Sequence, residues 1–256
     1  MTDNIKRATK TNEVGRGQRT GNFFKAVSAV VWKDLQAEFR SRELFSAMLV
    51  FSLLVIIIFN FALELDVKVR QSVTAGVLWT TFAFAGTLGL NRSMAVEKDR
   101  GCIDGLLLAP VDRSAIYFGK AISNLAFMLI VEAIVLPVYS VLYNANLFRL
   151  DFLGVILLGS IGYAAVGTLL STMSAQTRTR EILLPILLFP VAIPVLLASV
   201  KASGGILAGA EFAEILAPLN ILIVYDVIFI AVAFWFWLHS CSLLKFWITH
   251  IKHYLI

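Results

Sequence analysis

The sequence predicts an all-α integral membrane protein: six transmembrane helices, N- and C-termini both cytoplasmic, with an interfacial amphipathic helix ahead of the first span. Three observations predict it. Of the 256 residues, 59% are hydrophobic and 15% charged, against roughly 45–50% apolar and about 25% charged in a soluble domain. Six runs of mostly apolar residues recur along the chain, each near the ~20 residues that a helix needs to cross ~30 Å of hydrocarbon. Basic residues also divide unequally between alternate connections. Mean hydropathy is +0.82, which excludes an ordinary soluble enzyme, a disordered regulator and a disulfide-stapled secreted module.

Residues 1–22 are polar and basic and read as a disordered cytoplasmic tail. Over 23–43, Phe24, Val27, Val31, Leu35 and Phe39 recur at three- and four-residue steps, with Lys25, Lys33, Gln36 and Arg40 opposite. That spacing predicts an amphipathic helix in the inner headgroup plane; the plainer alternative is a basic stop before the first span. The permease domain follows over 44–245. Its spans are 44–63, 71–90, 121–143 (interrupted by Glu132), 152–175, 182–200 and 219–244 (interrupted by Asp226). None alternates with a period of two, so they read as helices and not as barrel strands. The first run is too long, and starts too late, for a cleaved signal peptide. The fifth carries Pro185, Pro190 and Pro194, each of which removes a backbone donor and bends a helix. The 201–218 connection holds Gly204, Gly205, Gly209, Glu211 and Glu214 and reads as a short periplasmic excursion, in part re-entrant. Residues 246–256 form a cytoplasmic tail.

Orientation follows from charge. The N-terminal 43 residues, the 91–120 loop, the 176–181 loop and the C-terminal tail together hold eighteen Lys and Arg, and the opposite face holds four: Lys68, Arg70, Arg149 and Lys201. Positive charge marks the cytoplasmic side, which places both termini inside. An even number of spans requires the same.

Candidate chemistry is sparse. The chain has no Walker A loop, dinucleotide fingerprint, zinc-protease motif or nucleophile–base set, so it carries no ATPase chemistry of its own. Cys102 and Cys241 stand far apart in sequence and define no disulfide framework or metal site. His239, His250 and His253, near Trp235, Trp237 and Trp247, read as an interfacial anchor and not as haem ligands. No nucleic-acid partner is expected. The richest polar stretch is loop 91–114, within the 91–120 connection. Glu97, Lys98, Asp99, Arg100 and Asp104 surround a breaker at Gly101, and apolar Leu106, Leu107 and Leu108 are stopped by Pro110. A short charged helix followed by an apolar knob suits insertion into a partner's groove; the alternative is a solvated connection. Glu132 and Asp226 are the intramembrane acids. A charge there costs roughly 2.5–3.5 kcal/mol on insertion scales, so each faces protein or water. They mark either a substrate route or subunit seam, or hydrogen bonds between helices with Asn124 and Tyr225 as partners in reach.

These residues carry a resemblance. Glu97-x-x-x-Gly101 followed by Leu106-Leu107 and Pro110, after the second of six spans, resembles the coupling loop of ABC-2 (type V exporter-like) permeases. More narrowly, the chain resembles the haem exporter B subunit (CcmB) of the cytochrome c maturation system. The stretches that carry this are Gly89-Leu90-Asn91-Arg92, Gly105-Leu106-Leu107-Leu108-Ala109-Pro110-Val111-Asp112-Arg113-Ser114-Ala115-Ile116 and Gly119-Lys120. Glu132-x-x-x-x-Pro137, Ala165-Val166-Gly167-Thr168-Leu169-Leu170-Ser171 and Gln176-Thr177-Arg178-x-Arg180-Glu181 continue it. Leu183-Leu184-Pro185 and Pro190-x-x-x-Pro194-Val195-Leu196 complete it, within about 28–245. Many members carry Phe-x-x-Asp-x-x-Asp-Gly-Ser-Leu-Glu-x-Leu in this loop. Aligned from Met94, this chain keeps Gly101 and Leu106 but has Glu97, Arg100, Cys102, Ile103 and Asp104 at the other places, with the sign reversed at Arg100.

The resemblance implies a homodimeric permease in the bacterial inner membrane, with two copies of an ABC ATPase subunit docked at Glu97, Asp99, Arg100, Gly101, Asp104, Leu106, Leu107 and Pro110. It implies work alongside the haem-handling C subunit, the small D subunit and a periplasmic haem chaperone. ATP then sits on the partner, this chain binds no cofactor, and haem is either cargo or released with the loaded chaperone. Two other readings stay open: an ABC-2 exporter of a lipid, glycan or drug, and a membrane scaffold with no transport cycle.

Overall fold

The structure, a computed structural model, describes residues 23–62, 67–99, 113–144, 146–174 and 180–254. Among them no strand occurs, and seven helices follow one another: α1 (23–41), α2 (Glu43–Ala62), α3 (Val67–Asp99), α4 (Arg113–Tyr143), α5 (Leu150–Ser174), α6 (Arg180–Ala208) and α7 (Phe212–Tyr254). The last six are long and apolar enough to cross a membrane, and each overlaps one of the six expected runs, of which residues 63 and 175 lie outside the described residues. The 1–22 tail lies outside the described residues.

The helices outrun their apolar cores. α3 continues to Asp99 and α4 begins at Arg113, so the 91–120 connection is helical at both ends. The 201–218 excursion is corrected: α6 continues to Ala208 and α7 starts at Phe212. A helix satisfies its own backbone and runs on until something stops it, and here the stop is Gly209, with φ of 72°. Ala210 N donates to Gly205 O at 2.9 Å and Gly209 N to Ile206 O at 3.2 Å. This pairing closes a helix C-terminus on a left-handed glycine.

α1 meets α2 at an elbow. Arg42 sits at φ 56°, and Glu38 holds it from both sides: Glu38 O accepts from Arg42 N at 2.7 Å, while its Oε1 accepts from Phe45 N at 2.8 Å. The carboxylate thus caps one of the orphan amides that open α2.

α3 and α5 occupy the centre. α3 packs on α2, α4, α5 and α6, and α5 packs on α3, α4, α6 and α7. Glycine on α5 allows the close approach, since a Cβ at Gly159 would collide with the Trp79 ring and Ser199 Oγ, and one at Gly162 with Asp226 Oδ1. Four tyrosines then join neighbouring helices by donating to backbone carbonyls: Tyr117 to Ala165 O, Tyr139 to Thr74 O, Tyr163 to Ala83 O and Tyr225 to Val191 O, at 2.7–3.1 Å. Trp79 Nε1 adds a bond to Ser203 Oγ at 2.9 Å.

The helix ends alternate. Arg92 pairs with Glu43, Asn91 reaches Glu181, and Tyr117, Leu169 and Ala233 pack together. The entry to the first span and the exit from the last therefore lie at one end of the bundle. At the other end Arg149 Nη1 donates to Ile206 O at 3.3 Å, satisfying a terminal carbonyl of α6 with a cation, as the helix dipole favours.

Gly159→Ala is expected to lower stability by about 1–3 kcal/mol through overpacking against Trp79. Gly154→Ala, where a Cβ meets nothing within 4 Å, should leave it unchanged. Thermal unfolding of the two variants in one detergent makes the comparison.

Candidate functional site

Of the residues expected to couple an ATPase, Arg100, Gly101, Asp104, Leu106, Leu107 and Pro110 lie outside the described residues. Glu97 and Asp99 fall on the last turns of α3, with side chains outside the described set. The two ends of the loop are described, and both are tied down.

The exit from α3 is held twice. Asn91 Nδ2 donates to Glu181 O over a long 3.5 Å. That carbonyl is available because Pro185, four residues on, has no N–H to give it. Arg92 pairs with Glu43 at the start of α2.

The return into α4 is held by α1. Lys120 Nζ lies 2.7 Å from Asp34 Oδ2, with the two side chains 4% and 8% exposed, and Lys33 Nζ lies 3.3 Å from the other carboxylate oxygen. Gly119 lets the helices touch, since a Cβ there would fall 2.7 Å from Val30 Cβ. Phe23 meets Phe118 edge-on at 6.2 Å. This contact rotates the expected stripe of α1. Val27, Val30 and Asp34 form the buried face, whereas Phe24 and Phe39 are exposed together with Trp32. At ~100° per residue the three aromatics lie between the docked face and the basic face of Lys25, Lys33 and Arg40. Asp34 was readable in the sequence: it follows Val27 and Val30 at helical spacing, an acid on an apolar face.

The intramembrane acids face inward. Glu132 is 2% exposed, and its Oε1 accepts from Ser160 Oγ at 2.6 Å. Asp226 is 6% exposed. Among the described residues, Glu132 Oε2 and both Asp226 oxygens have no hydrogen-bond partner. The two expected donors are engaged elsewhere. Asn124 donates to Thr168 Oγ1 at 3.0 Å, about two turns from Glu132 on the same helix. The Tyr225 hydroxyl goes to Val191 O, since adjacent helical residues diverge by ~100° and cannot share a face. Asp226 instead fills the space left by Gly162, beside Val195. Nothing local in the sequence marks Ser160 or Gly162 as those partners. The arrangement positions the helices and the two flanks of loop 91–114.

The model of the CcmB protein family matches residues 25–241, from α1 to within α7. The chain belongs to the CcmB family. The protein named "Heme exporter protein B" from Rhodobacter capsulatus is 26% identical over 195 residues, which is 76% of this chain and 88% of that one. Its namesakes from Paracoccus denitrificans and Bradyrhizobium diazoefficiens are 24% and 22% identical over 186 and 185 residues, 72% of this chain each time. The family match takes in α1 from residue 25, the α1–α2 elbow, Asn91, Arg92 and Lys120. Family membership and six apolar helices together make this a multi-pass membrane protein.

Ser160→Ala is expected to leave Glu132 without its hydrogen bond and to cost about 1–3 kcal/mol. Glu132→Gln, which can still accept from Ser160, should cost less. Unfolding midpoints of both purified variants decide the order.

Proposed function

We propose that this chain is the membrane permease subunit of an ABC-type haem-export system serving cytochrome c maturation. The observation that carries the reading is the CcmB family match across all six spans. In this role the chain is a transporter subunit and not itself an enzyme, and ATP is hydrolysed on a separate cytoplasmic subunit. Two copies of the chain assemble with two ATPase subunits in the bacterial inner membrane. The haem-handling C subunit, the small D subunit and a periplasmic haem chaperone complete the pathway.

The ATPase docks at loop 91–114, through Glu97, Asp99, Arg100, Gly101, Asp104, Leu106, Leu107 and Pro110. Two features support this placement. The loop joins α3, a central helix, to α4, so displacement there reaches the middle of the bundle. Its flanks also lie at the end of the bundle that is richest in basic residues, the signature of a cytoplasmic face. Haem is the cargo class, and Glu132 and Asp226 lie along the helix seams by which a conformational change travels.

Affinity purification of the tagged chain in mild detergent should recover an ATP-binding subunit and haem-handling proteins, and deletion should abolish c-type cytochromes. Recovery of no ATPase would overturn the reading. Gly101→Asp with Leu107→Asp should abolish ATPase recruitment while leaving the chain in the membrane. For topology, alkaline phosphatase fused at the C-terminus should be inactive and a fluorescent reporter there active, with the opposite result after residue 146.

A further inference from the structure

We infer that α1 and its elbow form a brace across the mouth of loop 91–114, with Asp34 and Lys120 as its positioning residues. The brace passes movement of the loop to α2, α3 and α4 as one body. The inference rests on the reading of that loop as the ATPase contact, and adds how the contact is connected to the spans.

The connections form a closed circuit. On the α4 side, Lys120 Nζ meets Asp34 Oδ2 at 2.7 Å with both side chains more than nine-tenths buried, and Val30 lies directly on Gly119. One turn along α1, the Glu38 carboxylate takes the Phe45 amide and so joins α1 to α2. At the head of α2, Glu43 pairs with Arg92, the last turns of α3 before the loop leaves. Each end of the loop is therefore linked to the other through side chains of the elbow, without passing through the loop.

The burial of Asp34 and Lys120 gives the brace its stiffness. An ion pair shielded from water is hard to open, because separation strands a charge in a poor solvent for it. Lys33, which also approaches Asp34, is 44% exposed, so its end of that contact is screened by solvent and contributes less. A plain surface helix needs no buried charge, and apolar contacts at Val27, Val30 and Phe23 would dock it. The pair adds a fixed register between α1 and α4 that a greasy contact alone, free to slide, does not impose.

The test uses the full chain with its partner subunits. Asp34→Asn should still accumulate in the membrane, recruit the ATPase and permit ATP hydrolysis by the assembled complex, yet lose most c-type cytochrome formation. The exchange Asp34→Lys with Lys120→Asp should restore it. Normal cytochrome output from Asp34→Asn overturns the inference. So does loss of ATPase recruitment by that variant, which would make α1 part of the docking surface itself. If Asp34→Asn does not accumulate, Asp34→Cys with Lys120→Cys is used in a Cys102→Ser, Cys241→Ser background, the gap left by the two long side chains being bridged by a short bis-methanethiosulfonate reagent. Cross-linking that joins α1 to α4 and restores output supports a brace that stays closed through the cycle; cross-linking that leaves output lost overturns it. Failure of the underlying reading appears separately, as unchanged ATPase recruitment by Gly101→Asp with Leu107→Asp.

Discussion

Between helices in a bilayer there is no water to satisfy a stray polar group, and lipid tails are as apolar as the side chains they would displace. Helices in that solvent associate through close packing and hydrogen bonds, with no hydrophobic drive between them. The four tyrosine-to-carbonyl bonds meet this requirement. Each phenol buries its single donor on the second lone pair of a carbonyl already engaged in its own helix, so a neighbour is held without breaking either ladder. They tie α3, α4 and α5 to one another and α7 to α6, and the bond from Trp79 on α3 to Ser203 on α6 joins the two groups. Glycines on α5 bring the backbones near enough, and Trp79 and Asp226 fill the space those glycines vacate.

The spans were legible because lipid imposes a length and a composition that few other environments ask for. Their ends were not. Beyond the apolar core a helix stops only where a cap or a left-handed residue stops it, and Gly209 does so well past the last residue of the expected fifth run. Gly204 and Gly205, read as loop formers, are instead carried inside α6. The placement of Glu132 and Asp226 inside the bundle followed from the cost of a charge in lipid. Their neighbours did not, because Ser160 and Gly162 reach them across helix packing, which single-chain spacing does not encode. Asp34 is the intermediate case. Its position on the face of Val27 and Val30 was open to reading, whereas its partner Lys120 stands on another helix, in a stretch counted only as cytoplasmic charge.

The described architecture also bears on where energy enters. In the proposed role, work arrives through loop 91–114 and is distributed by the links at its flanks. Loop 91–114 emerges from a central helix, and both of its flanks are anchored, at Asn91 and Arg92 on one side and at Lys120 on the other. A loop held at both ends moves its helices when pushed, whereas a loose one absorbs the push.

The bond from Asn91 to Glu181 has a consequence for how this sequence tolerates change. The carbonyl at Glu181 is free because residue 185 is proline, and the amide at residue 91 occupies it. The two positions are therefore epistatic although they sit on different helices. With proline gone, the helix fills that carbonyl from within and the asparagine loses its purpose; with asparagine gone, the carbonyl, which is exposed, turns to solvent. Substitution at either site has to be judged against the residue at the other.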